Sequence, residues 1–98
     1  MAKKLFISQP MNGFTDEQIL EARNNAIEIV KERVNDEIEL IDTFYEFNGK
    51  PLEYLGRAIS DMANADVAYF GEGWEKARGC KIEHECALQY GIDVIHYR

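Results

Sequence analysis

The chain has no long apolar run and few basic residues, and each shortage argues against a class of protein. No segment approaches the roughly 20 apolar residues that span a bilayer, and the apolar stretch after Met-Ala-Lys-Lys is too short for a signal peptide. We therefore expect a cytoplasmic protein. Eighteen Asp and Glu against 11 Lys and Arg give a net charge of −7, which opposes binding to nucleic acid polymers and anionic membranes. A small anionic ligand would need a local positive pocket.

Cysteine is scarce as well, and its placement argues against a disulfide. Cys80 and Cys86 lie six residues apart in a predicted helix, where a rise of about 9 Å and different directions separate the two thiols. Cys86 falls on an apolar stripe and is expected in the core. Cys80 and His84 could form a thiolate–imidazole pair, or with Glu83 a metal site, but the pair has no orienting third group. His96, in the last predicted strand, is expected to be structural.

The patterns that are present alternate regularly between strand and helix, with no repeat or low-complexity segment between them. The order predicts one domain, residues 1–98, with an α/β fold of Rossmann/flavodoxin type. We expect three layers, in which a four-stranded parallel sheet of order 2-1-3-4 carries helices on both faces. The predicted strands are 4–8, 37–42, 67–70 and 93–97, and the predicted helices are 16–34, one starting at Pro51, and 77–90.

Helical periodicity predicts which side of each helix is buried. Glu83 lies on or beside the stripe of the third helix, whereas His84 and Glu85 point more towards solvent. The three expected stripes are Ile19, Ala22, Ala26, Ile27, Val30 and Val34; Leu55, Ile59, Met62 and Ala63; and Ile82, Cys86, Ala87 and Tyr90.

The loops after the first and third strands meet at the expected ligand site of such a sheet. Ligands bind beyond the carboxyl ends of the strands, where the strand order reverses, and this places loops 8–14 and 71–79 together. Backbone amides around 11–13 and 79–80, with Lys76, Arg78 and Lys81 nearby, could hold a phosphate or a carboxylate. Trp74 could stack on a base or wall the pocket. The alternatives are a capping turn, solvated charges and a core tryptophan.

Glu83 is the strongest candidate for chemistry. The dipole of a helix favours an ionised carboxylate near its N-terminus, and a partly desolvated carboxylate in a cleft suits a glycosidic nucleophile. The alternative is that Glu83 is a boundary residue that satisfies the start of the helix.

Three segments of the sequence resemble a known superfamily. They are F-I-S-Q-P-M-N-G at 6–13, A-D-V-A-Y-F-G-E-G-W-E at 65–75 and G-C-K-I-E-H-E-C-A-L-Q-Y-G at 79–91. Together they are similar to the nucleoside 2-deoxyribosyltransferase-like superfamily, and more closely to its small DUF4406-type branch of uncharacterised bacterial and phage proteins. The resemblance implies that the glutamate four residues before an alanine and eight before a glycine attacks the anomeric carbon of a deoxyribosyl group. That spacing selects Glu83, and not Glu85.

The chain departs from the superfamily pattern at three positions. Phe6 stands where active members carry a tyrosine, Gln9 where they carry a glycine, and Ala58 where they carry an aspartate. Asp61, three residues after Ala58, is the candidate substitute if the helix is rotated.

The residues and the resemblance together predict binding of a nucleoside, a nucleotide or a related ribosyl metabolite, with cleavage or exchange of its N-glycosidic bond. No metal or organic cofactor is implied. The alternatives are a noncatalytic module that binds a nucleotide-derived metabolite or signal, and an interaction domain with a vestigial pocket. The predicted site residues are Glu83 and Asp61 for catalysis and Phe6, Ser8, Gln9, Pro10, Met11, Asn12, Gly13, Gly73, Trp74, Arg78, Gly79 and Cys80 for substrate binding.

A homodimer or larger homo-oligomer is also expected. Phe44, Tyr45 and Phe47 crowd one loop without an obvious internal partner, and such groups mark an interface or a ligand wall. The resemblance adds that related proteins commonly complete their pockets with a neighbouring chain.

Overall fold

The computed structural model describes residues 2–11, 13–41 and 49–97. Asn12, the end of the predicted second strand at Asp42 and the aromatic group of Phe44, Tyr45 and Phe47 lie outside the described residues. The elements are β1 (Lys3–Ser8), α1 (Asp16–Val34), β2 (Ile38–Leu40), α2 (Pro51–Met62), β3 (Val67–Phe70), a short 3-10 turn (Trp74–Lys76), α3 (Arg78–Gln89) and β4 (Asp93–His96).

The four described strands form one parallel sheet in the order β2-β1-β3-β4. The predicted α/β fold and strand order are therefore confirmed. In the register, Ser8 lies beside Phe70 and Phe70 lies beside His96. The carboxyl ends of β1, β3 and β4 consequently reach the same edge of the sheet, which we call the carboxyl edge.

Alternating residues of the central strands feed two separate cores, one on each face of the sheet. Their division confirms the three-layer arrangement, because α1 covers one face and both α2 and α3 cover the other. The core on the α1 face contains Leu5, Ile7, Ala26, Val30, Val67 and Tyr69. The core on the α2–α3 face contains Phe6, Ala58, Met62, Ala68, Phe70 and Ala87.

Local hydrogen bonds close both ends of α1. The Thr15 hydroxyl accepts a hydrogen bond from the Gln18 amide at 3.2 Å, and the Gln18 side chain accepts one from the Thr15 amide at 2.9 Å. This is a complete capping box. Asn35 ends the helix in the left-handed conformation, with φ of 53° and its amide bonded to the Lys31 carbonyl.

None of the helices in the described ranges is long and apolar enough to cross a membrane.

The predicted buried stripe of α3 is wrong by a rotation of the helix. Ala87 is buried as predicted and Cys86 is half-buried against the core, but Ile82 and Tyr90 are exposed by 41% and 84%. Cys80 and Glu83 are buried beside Ala87 instead. The helix rests on the sheet along this i, i+3, i+7 line, so a glutamate occupies the position that hydropathy gives to an isoleucine. The physical reason is a hydrogen bond from the sheet, described below, that offsets the cost of burying a carboxyl group.

The other two helices also depart from their predicted stripes. In α1, Ala22 is exposed and Arg23 is only 3% exposed. Arg23 shares one line of the helix with Ile19, Ala26 and Val30, and the long apolar stem of arginine can cover such a surface. In α2 the buried residues are Ala58 and Met62, while Leu55 and Ile59 are half-buried and Ala63 is an exposed cap.

The second strand is shorter than predicted. Only Ile38–Leu40 pair fully with β1, although Glu37 and Ile41 still exchange single backbone hydrogen bonds with it. An edge strand has one neighbour, so its ends lose strand geometry more readily than a central strand.

Candidate functional site

The chains that leave β1 and β3 stay together beyond the carboxyl edge. The Gly71 amide donates a hydrogen bond to the Ser8 carbonyl at 2.8 Å, directly after the last paired residues of the two strands. A side chain on Gly71 would bring its Cβ within 3.2 Å of the Cβ of Gln9. Glycine therefore permits this close approach, and the predicted meeting of the two loops is present.

A buried hydroxyl–carboxyl pair lies immediately below this junction, on the α2–α3 face. The Ser8 hydroxyl donates a hydrogen bond of 2.5 Å to Oε1 of Glu83, across 75 positions of sequence. Ser8 is the last residue of β1 and Glu83 lies in the second turn of α3. Their side chains are only 2% and 9% exposed. The pair therefore fixes one oxygen of a largely desolvated carboxyl group at the carboxyl edge.

Burial dominates the electrostatics of Glu83. Desolvation raises the pKa of its carboxyl above the ordinary value of 4.5, and the Ser8 hydrogen bond opposes that rise without cancelling it. We expected the dipole at the start of α3 to keep Glu83 ionised. Burial, which favours the neutral carboxyl, is the stronger effect. A carboxyl in this environment can act as a nucleophile when it is ionised and as a proton donor when it is neutral.

Cys80, one turn before Glu83, shares the same surroundings. Burial raises the pKa of its thiol to about 11, with the nearby Glu83 charge adding to the rise and a hydrogen bond with Ser8 opposing it. The thiol is therefore neutral near pH 7, which argues against the thiolate–imidazole alternative with His84. Its place beside Ser8 and Glu83 makes it part of the wall around the carboxyl group.

A cleft opens on the other face of the sheet, beside α1. Its volume is about 650 Å³, within the range of small-molecule sites. Three of the predicted binding residues line it: Gln9, Pro10 and Gly73. The remaining lining residues are Ile7, Phe14, Gln18, Ile19, Ala22, Asn25, Ala26, Ile29, Tyr69, Gly71, Glu72 and Tyr97.

Sequence reasoning predicted Gln9 but missed the aromatic residues of this cleft. Tyr69 follows from strand alternation, since it points to the same face as Ile7 in the neighbouring strand. Tyr97 belongs to the predicted last strand, and alternation with Ile95 gives it the same face. Phe14 lies in a loop and carries no periodic signal. Gln9 contributes a buried side-chain oxygen that has no hydrogen-bond partner in the described part of the chain, while its Nε2 donates a long bond of 3.4 Å to the Ile19 carbonyl.

The cleft and Glu83 lie on opposite faces of the sheet. Ile7 and Tyr69 line the cleft, whereas Ser8 and Glu83 do not. The Ser8–Gly71 junction stands between them, so a ligand that touches both must pass over the carboxyl edge. A smaller hollow of about 280 Å³, lined by Lys3, Arg33 and Asp66 among others, lies at the opposite edge, where the strands begin.

Two further predicted residues do not line the cleft. Phe6 is fully buried and packs in the same core as Ala58. Asp61 lies in the last turn of α2, which returns the chain to the start of β3. A helix of 12 residues is about 18 Å long. Asp61 is therefore near the opposite edge of the sheet from Ser8.

The remaining predicted binding residues lie around the edge. Met11, Gly13 and Arg78 are exposed, and Gly79 is half-buried with Leu55 at its surface. Met11 and Gly13 lie in the loop after β1, and Arg78 and Gly79 are the first residues of α3. Asn12 lies outside the described residues.

Trp74 lies against two histidines instead of lining the cleft. Its ring stacks on His84 with centroids 4.2 Å apart and on His96 at 5.3 Å, and it contacts Phe70 at 5.6 Å. His84 is half-buried as a result. This grouping joins residues from four elements, β3, the 3-10 turn, α3 and β4, and only the topology brings them together.

Comparison with known proteins identifies one family. A family model described as "Domain of unknown function (DUF4406)" matches residues 3–96, almost the whole chain. No curated protein sequence matches the chain significantly.

Proposed function

The chain belongs to the DUF4406 family, and we propose that this member is a cytoplasmic nucleoside- or nucleotide-binding protein of the nucleoside 2-deoxyribosyltransferase-like superfamily. In this proposal Glu83 attacks the anomeric carbon of a bound deoxyribosyl or ribosyl group. The observation that carries the proposal is the hydrogen bond of 2.5 Å between Ser8 and Glu83. It holds a buried carboxyl group where the strand order reverses, which is the ligand position in open α/β sheets.

The cleft beside α1 suits the base of such a ligand. Its buried Gln9 oxygen can accept a hydrogen bond from a ring or exocyclic N–H, and Phe14 and Tyr97 offer aromatic surface. The sugar then crosses the edge over Gly71 towards Ser8. Because Glu83 is 9% exposed, the anomeric carbon reaches its free oxygen only when the loops at the junction open locally.

The proposed reaction has two steps. The Glu83 carboxylate donates an electron pair to the anomeric carbon while the C–N bond breaks, and the base leaves with that bond's electrons and takes up a proton from solvent. Water then displaces the carboxylate to give the free sugar, or a second base displaces it to give an exchanged nucleoside, and the attacking group releases a proton to solvent. Each step inverts the anomeric carbon, so the product retains the configuration.

Ser8 has a defined role in this mechanism. Its hydroxyl holds Oε1, which leaves the other carboxyl oxygen for attack, and it favours the ionised form that a nucleophile requires. Ser8 and Phe6 share one face of β1. The hydroxyl that the resemblance expects at Phe6 is thus supplied two residues further along the same face.

The test is to incubate the protein with deoxynucleosides, deoxynucleoside monophosphates and NAD-type dinucleotides and to measure released base by chromatography. We expect release that Glu83→Gln abolishes. The matched control is Glu85→Gln, which removes the same charge two residues away from an exposed side chain that Gln89 bonds at the helix surface. Equal loss in both variants, or neither binding nor release with any of these compounds, would refute the proposal.

The second candidate is a noncatalytic module that binds the same class of ligand. The specific observation in its favour is that core packing occupies the positions of the expected tyrosine and aspartate with Phe6 and Ala58, while Asp61 lies at the other edge. Calorimetric binding of a nucleotide that is weakened by Gln9→Ala, without release of base over hours, would support this module over the enzyme. In either case we propose a homodimer or larger homo-oligomer.

A further inference from the structure

Two histidines meet at the end of β4, outside the site described above. His96 is the last residue of β4 and His84 lies in the second turn of α3. Their Nε2 atoms are 2.8 Å apart. The indole ring of Trp74 stacks on both imidazole rings, with interplanar angles of 26° to His84 and 19° to His96. His96 is exposed and His84 is half-buried, and solvent therefore reaches the pair.

We propose that His84 and His96 form a binding site for one divalent transition-metal ion of the Cu²⁺, Ni²⁺ or Zn²⁺ class. Imidazole nitrogens are the preferred protein ligands that these ions share. The two Nε2 atoms face each other, and one must carry a proton that the other accepts. An ion replaces that single proton and uses the lone pairs of both rings.

The separation of the rings already fits an ion between them. An imidazole that binds through Nε2 at about 2.0–2.1 Å has its ring centroid roughly 3.2 Å from the metal. The centroids are 4.9 Å apart, which gives an angle of about 100° at the metal, between square-planar and tetrahedral geometry. Each ring has to turn so that its lone pair points at the shared ion, and the two planes, which lie at 40° to each other, have to adjust.

Charge around the pair also favours a cation. The chain carries a net charge of −7, the Glu85 carboxylate acts electrostatically on His84, and a cation near an indole face gains a further attraction. No cluster of three potential ligands occurs within the described ranges. Water is therefore expected at the other coordination positions.

Trp74 is the only tryptophan of the chain, so its fluorescence reports directly on this site. We expect Ni²⁺ and Cu²⁺ to quench it saturably at one ion per chain, with Cu²⁺ tighter, and EDTA to reverse the effect. Zn²⁺ should compete with Ni²⁺, and Mg²⁺, which prefers oxygen ligands, should not. The electron paramagnetic resonance spectrum of the Cu²⁺ complex should show nitrogen ligands and no thiolate.

His96→Gln and His84→Gln should each weaken the quenching by at least about tenfold, since one lone imidazole remains. His96 is exposed and its replacement should leave the fold intact, which far-UV circular dichroism checks. Quenching by Ni²⁺ in His96→Gln with the affinity of the wild type would overturn the proposal. So would the absence of saturable quenching in the wild type, or a ratio of one ion to two chains. Base release, tested separately, does not depend on this site.

Discussion

Replacing Glu83 with glutamine tests whether the buried carboxyl is costly to the fold. The variant keeps the shape and retains an oxygen for the Ser8 hydroxyl. It turns a charge-assisted hydrogen bond into a neutral one, a loss on the order of 1 kcal/mol. It also removes the cost of burying a charge, and each unit by which burial raises the pKa is worth about 1.4 kcal/mol. Since the net direction of that pKa is upward, the variant should be at most about 1 kcal/mol less stable at pH 7, or more stable.

The same replacement should change how stability depends on pH. The folded-state pKa of Glu83 lies above the unfolded value near 4.5, so the folded state binds more protons between the two values. The contribution of Glu83 to stability is therefore fully present below pH 4.5 and is lost as pH rises through the folded pKa. Glutamine does not titrate, so the Glu83→Gln variant does not lose stability in this way as the pH rises. Relative to the wild type, the variant should gain stability as the pH rises from 4.5 towards 7.

Urea denaturation followed by far-UV circular dichroism at several pH values, with EDTA present, measures the difference. Glu85→Gln is the control, because Glu85 is exposed and such replacements change stability by no more than about 0.5 kcal/mol. If Glu83→Gln instead loses stability relative to the wild type as the pH rises, then the hydrogen bond and the helix dipole outweigh burial. The electrostatic account of the site given above would then be wrong.

Three further predictions follow from the same structure. Ser8→Ala should cost about 1–3 kcal/mol in the free energy of unfolding, because it leaves a buried carboxyl oxygen without its donor; an equal effect of Ser60→Ala, at an exposed helix position, would contradict this. Native Cys80 should resist alkylation at pH 8, since it is buried and its pKa is about 11, whereas the half-buried Cys86 should react first; mass spectrometry showing the reverse order would count against it. Light scattering should show a dimer or larger species at tens of micromolar, about the range in which a weak interface still associates, and a monomer there would reject the proposed assembly.

The sequence predicts the order of elements well because its signals are local. The alternation of patterns, the Thr15–Gln18 capping box and Pro51 at the start of α2 each act within a few residues, and the strand order follows from their succession. The position of the site follows from that order alone, since Ser8 and Gly71 end neighbouring strands.

The rotation of α3 is not predictable in the same way. Hydropathy favours Ile82 over Glu83 for the buried side, and only a partner 75 positions away makes the glutamate acceptable there. The spacing to Ala87 and Gly91 selects Glu83 as the candidate nucleophile through the family resemblance. It does not predict that the Glu83 side chain is buried against Ser8. The contact between Trp74 and His96 is unpredictable for the same reason, because it depends on a long-range feature, the register of β3 and β4.

The hydroxyl beside Glu83 shows how position in a motif and position in space can differ. By position, the chain lacks a hydroxyl at Phe6, which is packed in the core. In space, Ser8 faces the same side as Phe6 and lies about 6.6 Å nearer the carboxyl edge, because each residue advances a strand by about 3.3 Å. At that height the Ser8 hydroxyl reaches the Glu83 carboxyl in the second turn of α3. In the proposed mechanism the orienting donor is therefore moved along the strand, and the activity of Ser8→Ala, more than that of any variant at Phe6, should report on it.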